Sequence, residues 1–166
     1  MLFRSVPEGV LFRGGPDQKV RKELLEQFNL HTILSLPAGC FLPYTGVKTN
    51  VLFFDKMADG SCTKSVWFYD LTNDGFELKQ TRKPIAGGQL ADFVAKWPMR
   101  LESERSWSVT IEEVAAKAFD LSAKNPNMKD DPEHRPALAL VQAIKSKEER
   151  VVELLSELEA LLEEGE

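Results

Sequence analysis

The chain has 166 residues, 43% of them hydrophobic and 28% charged, enough to bury a core and to make disorder unexpected. Its net charge of −5 argues against a stand-alone nucleic-acid binder, because non-specific affinity for DNA comes from neutralising phosphates. The average conceals a gradient: residues 1–97 carry 12 Lys and Arg against 10 Asp and Glu, net +2, and residues 98–166 carry 9 against 16, net −7, so any contact with DNA is expected of the first part.

No apolar run is long enough to span a bilayer, and the opening Met1-Leu2-Phe3-Arg4 lacks the features of a secretory signal, so a cytoplasmic location is expected. Cys40 and Cys62 read as two free thiols, and with no Cys-x-x-Cys and two histidines no metal site is expected.

In chain order, Val6 to Phe12 reads as the end of an apolar strand and its exit, with Pro7 and Gly9 forcing a turn. Gly14-Gly15-Pro16 then signals a helix entry, and Val20, Leu24, Leu25 and Phe28 fall on one face up to a stop at Asn29. His31 to Leu36 has strand composition and ends at Pro37. This strand-helix-strand order predicts a crossover unit with a parallel strand pair. Arg13, Lys19, Arg21 and Lys22 cluster at the helix start, a pattern of a solvated face more than of a DNA track.

Thr49 to Asp55 reads as a second buried strand and Ser65 to Leu71 as a third. Trp67 and Tyr69 share one face of that third strand, with Phe68 opposite, which favours core packing over a binding platform. The turn cluster Thr72-Asn73-Asp74-Gly75 predicts an antiparallel hairpin between Ser65–Leu71 and Phe76–Gln80. Leu90, Phe93, Val94 and Trp97 give a one-faced helix ended by Pro98, and Thr110 with Glu113 fits a capping box opening a short helix through Ala118. Residues 123–136 form a polar loop or hinge. After Pro136 a long helix carries Leu138, Val141 and Ile144, then Val151, Leu154, Leu155, Leu158, Leu161 and Leu162 among glutamates; the heptad-like spacing suits packing against one partner helix. The organisation expected is 1–97, an α/β domain; 98–135, a connecting segment with a short helix; and 136–166, a helical tail.

Three stretches carry a resemblance. Val6-Pro7-Glu8-Gly9-Val10-Leu11-Phe12, Leu36-Pro37-Ala38-Gly39-Cys40-Phe41 and the run from Gly46 to Lys56 followed by Lys64 to Asp70 closely resemble the modification subunit of type I restriction-modification systems, adenine-N6 DNA methyltransferases. The resemblance extends from Phe3 to Ala86, and more weakly from Trp107 onward. It implies the C-terminal part of such a subunit: the distal portion of a Rossmann-like class I methyltransferase fold, a mixed sheet with an antiparallel hairpin, followed by a helical tail. The parent enzyme would use S-adenosylmethionine, and its partners would be DNA, the specificity subunit, the restriction subunit and the rest of the modification subunit.

Such an enzyme needs a glycine-rich turn for its cofactor and an Asn-Pro-Pro-aromatic loop for the base. No G-x-G occurs; Gly14-Gly15 and Gly87-Gly88 read as turn punctuation, and Asn125-Pro126-Asn127-Met128 lacks the second proline and the aromatic. No catalytic residue is therefore assigned, and the chain alone is expected to be silent. What the resemblance assigns instead is Phe41, matching an aromatic that stacks on the extruded adenine; the alternative is a core or loop-anchoring ring. Lys48, Thr49 and Asn50 follow as candidate DNA contacts, or as strand-capping residues beside a solvated lysine. Val151, Leu154, Leu155, Leu158, Leu161 and Leu162 form the candidate partner surface. A different class stays open, a non-enzymatic module that self-associates or binds a partner through its helix or an unpaired strand edge. His31 and His134 are assigned no role.

Overall fold

A computed structural model of the chain describes residues 1–56, 60, 62–127 and 137–163, the side chains of the last helix only in part. The chain divides into two units, Met1–Met128 and Lys129–Glu166. The first is built on five strands, β1 (Leu2–Pro7), β2 (Asn29–Leu36), β3 (Thr49–Asp55), β4 (Ser65–Asp70) and β5 (Ser106–Thr110), with helices α1 (Pro16–Gln27), α2 (Leu90–Lys96) and α3 (Ile111–Ala116). The second contains α4 (Ala137–Glu163).

The sheet order is β1-β3-β2-β4-β5. β3 runs antiparallel to both β1 and β2, β4 runs parallel to β2, and β5 closes the far edge antiparallel to β4. This corrects two expectations. The β1-α1-β2 crossover does join strands of the same direction, but they are not neighbours: the connection after β2 reverses the chain and inserts β3 between them. The hairpin of β4 with Phe76–Gln80 does not form; Phe76 makes an isolated bridge to Pro84, and the antiparallel partner of β4 is β5, a strand that the segment 98–135 supplies beside its short helix. The Thr72–Gly75 signal is spent on local turns, in which Gly75 N donates to Asn73 Oδ1 (2.8 Å) and Phe76 N to Asp74 Oδ1 (3.1 Å).

Because paired residues point to the same face, alternation along the strands makes two cores. Leu52, Ile33, Phe68 and Trp107 lie on one face, packed with Leu25 and Leu11; Leu34, Trp67, Tyr69 and Phe93 lie on the other. Phe68 stacks on Trp107 (5.4 Å), and Trp67 on Phe93 (5.9 Å). Burying each such side chain contributes about 1.5–3 kcal/mol, so the aromatic run of β4 is core on both faces, as its alternation predicts. Tyr69 Oη donates to Asp92 Oδ2 (2.7 Å), fastening α2 to the sheet.

Arg21 departs from the solvated-face reading. It is 3% exposed, and its guanidinium donates to the carbonyls of Phe119 (2.7 Å), Val10 (2.7 Å) and Arg13 (2.8 Å). It therefore ties α1 to the turn after β1 and to the segment after α3. The capping box of α3 is present on its Thr110 side, whose Oγ1 accepts from Glu113 N (3.4 Å), and the helix ends at Ala116 rather than Ala118.

Candidate functional site

The parallel strands β1, β2 and β4 end at one end of the sheet, where open α/β sheets build sites. Pro7 pairs there with Thr49, Asn50 with Ser35, and Ser35 with Asp70, so the entry of β3 is enclosed by the exits of its neighbours. Glu8 N donates to Lys48 O (2.9 Å), closing the β1 side. The connection from Pro37 to Lys48 is closed by its own turns: Leu42 N donates to Gly39 O (3.1 Å), and Tyr44 N and Thr45 N to Phe41 O (2.9 and 3.1 Å). Gly39 enters this loop at φ +84°, a left-handed conformation that disfavours any side chain.

Within this loop Cys40 is 6% exposed and Phe41 42% exposed, so the thiol anchors the turn while the neighbouring ring faces outward. Burial, reinforced by Asp74 and opposed by Arg82, pushes the Cys40 thiol up from its ordinary pKa, which keeps it protonated and unsuited to nucleophilic work. Tyr44 stands 94% exposed on the same loop. Reasoning from sequence passes over it, though an aromatic three residues beyond Phe41 in a Pro- and Gly-bounded loop is a visible signal.

Lys48 reaches the surface with its Nζ 3.8 Å from both Glu8 Oε1 and Asp70 Oδ1. Thr49 and Asn50 are buried, at 8% and 3% exposure; the Thr49 hydroxyl donates to Val47 O (3.2 Å), whereas Asn50 Nδ2 has no hydrogen-bond partner. The three residues are thus brought to one strand entry, with one side chain outside and two inside. Val151, Leu154 and Leu155 are exposed on α4, as are Val141 and Ile144; the side chains of Leu158, Leu161 and Leu162 lie outside the described residues, as does His134.

Gly14-Gly15 opens α1 with free space around it, whereas Gly87-Gly88 is closely packed. A Cβ on Gly88 would stand 3.0 Å from Gly75 Cα, so Gly87-Gly88 is filled by the chain's own backbone. Asn125 and Asn127 also serve locally: Asn127 N donates to Asn125 Oδ1 (2.8 Å), and their amides hold the carbonyls of Glu104 (2.7 Å) and Ser103 (2.9 Å). Among the described residues no group of three His, Cys, Asp or Glu is placed to hold a metal, and no helix is long and apolar enough to cross a membrane.

Comparison with known proteins decides the family, since a family model described as N-6 DNA Methylase matches residues 5–135. The chain belongs to the N-6 DNA methylase family. It is 37% identical to the type I restriction enzyme EcoEI methylase subunit of Escherichia coli across 95% of its own length and 33% of the relative's. It is 50% identical to the EcoKI methylase subunit of Escherichia coli across 40% of its own length and 13% of the relative's. Among solved structures, a chain of a type I restriction-modification system studied for assembly and conformational transition superposes with a TM-score of 0.66 at 36% identity, over 99% of this chain and 36% of that one. The EcoKI M protein superposes with a TM-score of 0.58 at 28% identity, over 98% of this chain and 40% of that one. The chain therefore spans a third or less of these two curated N-6 methylase relatives, and it shares the mixed α/β architecture of the solved ones. Its relatives are modification subunits of type I systems, as the sequence resemblance implies.

Proposed function

We propose that this chain is the C-terminal portion of a type I modification subunit, which in the assembled enzyme helps to hold an adenine extruded from DNA while S-adenosylmethionine methylates its N6. The observation that carries this reading is Phe41: a half-exposed ring on a closed loop at the carboxyl ends of the parallel strands, in a family whose substrate is DNA adenine. An extruded base regains lost stacking on such a face, worth about 1–3 kcal/mol. Lys48 contacts a phosphate beside it. Thr49 holds the strand entry, and the orphan amide of Asn50 is a donor whose acceptor arrives with the substrate or with the rest of the subunit.

In this reading S-adenosylmethionine is held by the rest of the subunit, and this chain alone is silent; the packing of Gly88 against Gly75 supports that division. The open outer edge of β1, with Met1, Leu2 and Phe3 exposed, supports pairing with that remainder. The stripe on α4 is the proposed surface for the specificity subunit and its assembly with the restriction subunit. The test is Phe41→Ala in an enzyme assembled from this chain, the complementary part of a modification subunit and a specificity subunit. We expect kcat/KM for methylation to fall about tenfold or more, with the fluorescence of 2-aminopurine at the target position altered to match. Unchanged values remove the stacking role, and stoichiometric binding of S-adenosylmethionine to this chain alone removes the division of labour.

A second reading rests on the same exposed features: the open β1 edge and the α4 stripe suit self-association of a non-enzymatic module. Sedimentation separates the two, since a monomer at high concentration speaks against it.

A further inference from the structure

The long segment between β4 and α2, which the sequence pattern makes half a hairpin, folds into something else. Gln89, at the threshold of α2, accepts through its Oε1 from Thr72 N (2.9 Å) and Asn73 N (3.3 Å), and Asn73 Nδ2 donates to Ala86 O (3.1 Å). Ile85 N donates to Gly75 O (2.8 Å) and Glu77 N to Lys83 O (2.9 Å), so the segment is a closed strap rooted on the helix. At its centre Arg82 pairs with Asp74, lies 5.3 Å over the Phe76 ring, and donates through Nη1 to the Cys40 carbonyl. Both charged side chains are largely sheltered, at 24% and 12% exposure.

We infer that Arg82 is a positioning residue for the target-base site, clamping the loop that presents Phe41 and Tyr44. This rests on the stacking role proposed for Phe41. The loop's turns are local and fix its shape but not its orientation on the sheet. Arg82 fixes the orientation from the residue immediately before Phe41. A guanidinium suits such a clamp because it stays charged, and its planar fork serves Asp74 and the Cys40 carbonyl together, which a lysine ammonium cannot match in geometry. Asp74 is in turn held by its own turn, accepting from Phe76 N (3.1 Å), so the clamp is organised before any substrate arrives.

The test has two parts. In the isolated chain, hydrogen exchange is followed at the amides of Leu42, Tyr44 and Thr45 and in β2 and β4. Arg82→Ala is expected to speed exchange in the loop roughly tenfold while leaving the strands unchanged, and Arg82→Lys to fall between. Should Arg82→Ala prevent folding, Asp74→Asn keeps the side-chain shape, removes the paired charge and gives the same reading. Loop exchange that stays at the wild-type rate overturns the inference. In the assembled enzyme, Arg82→Ala should reproduce the loss of Phe41→Ala, the double variant should lose no more, and Arg82→Lys should partly restore kcat/KM. A silent Phe41→Ala removes the stacking reading and leaves the clamp to the exchange result; a damaging Phe41→Ala beside a silent Arg82→Ala removes the clamp's functional role.

Discussion

Arg21→Lys isolates the energetic role of a side chain that the sequence places on a solvated face. The wild-type guanidinium is 3% exposed and makes charge-assisted hydrogen bonds to three backbone carbonyls, two in the turn after β1 and one after α3. Burial pulls its pKa down, with Asp120 and Asp17 opposing, yet an arginine remains charged at any pH of interest. A lysine keeps the charge but presents a single point donor on a shorter reach. It retains about one of the three bonds and leaves two carbonyls enclosed beside an under-solvated cation. Charge-assisted hydrogen bonds contribute about 1.5–3 kcal/mol each, and the losses are less than additive because the groups share one site, so a cost of about 2–4 kcal/mol is expected. That is a large share of the roughly 5–15 kcal/mol that holds a domain folded. Urea unfolding followed by tryptophan fluorescence measures it: with m of about 1–3 kcal/mol/M, the midpoint should fall by about 1–2 M at unchanged m. Glu26→Ala, which removes a surface pair 3.7 Å from Lys22 and leaves that lysine over the Phe119 ring, is the control and should move the midpoint hardly at all. A midpoint for Arg21→Lys equal to that control would refute the reasoning.

Lys48→Ala in the assembled enzyme should weaken binding of every DNA duplex alike and reduce the slope of log K against log salt by about 1; a sequence-dependent loss with the slope intact would reassign Lys48 away from phosphate. His31 is buried against the Trp97 ring, with Thr32, Asp55, Arg100 and the N-terminal ammonium around it, and burial first, then Arg100, lowers its pKa below 6.5. The unfolded chain therefore binds the proton more readily, so stability from this residue is present above 6.5 and lost as pH falls below it toward the folded value. His31→Gln should flatten the stability profile on the acid side of 6.5, and an equally steep profile in the variant would exclude His31 as its source. Replacing exposed Val151, Leu154 and Leu155 together by serine should abolish capture of the specificity subunit without lowering the unfolding midpoint of the sheet; retained capture would release α4 from that role.

Each strand and helix whose pattern is local could be read before any coordinates. β3 coincides with the expected Thr49–Asp55, and β4 ends one residue short of the expected Leu71, because alternation and bounding turn residues are properties of neighbours in the chain. The same holds for α2, for the Thr110 cap and for the wording that places the chain among type I modification subunits. What adjacency in sequence could not supply was adjacency in space. β3 between β1 and β2, and β5 in place of the Phe76–Gln80 hairpin, depend on which strand edge satisfies which backbone groups, a choice made among segments tens of residues apart. Arg21 and Arg82 carry the same lesson at the level of side chains. Their distant partners are backbone carbonyls, which every residue possesses, so no pattern of residue types announces those contacts, and only folding determines which arginine is solvated and which is enclosed.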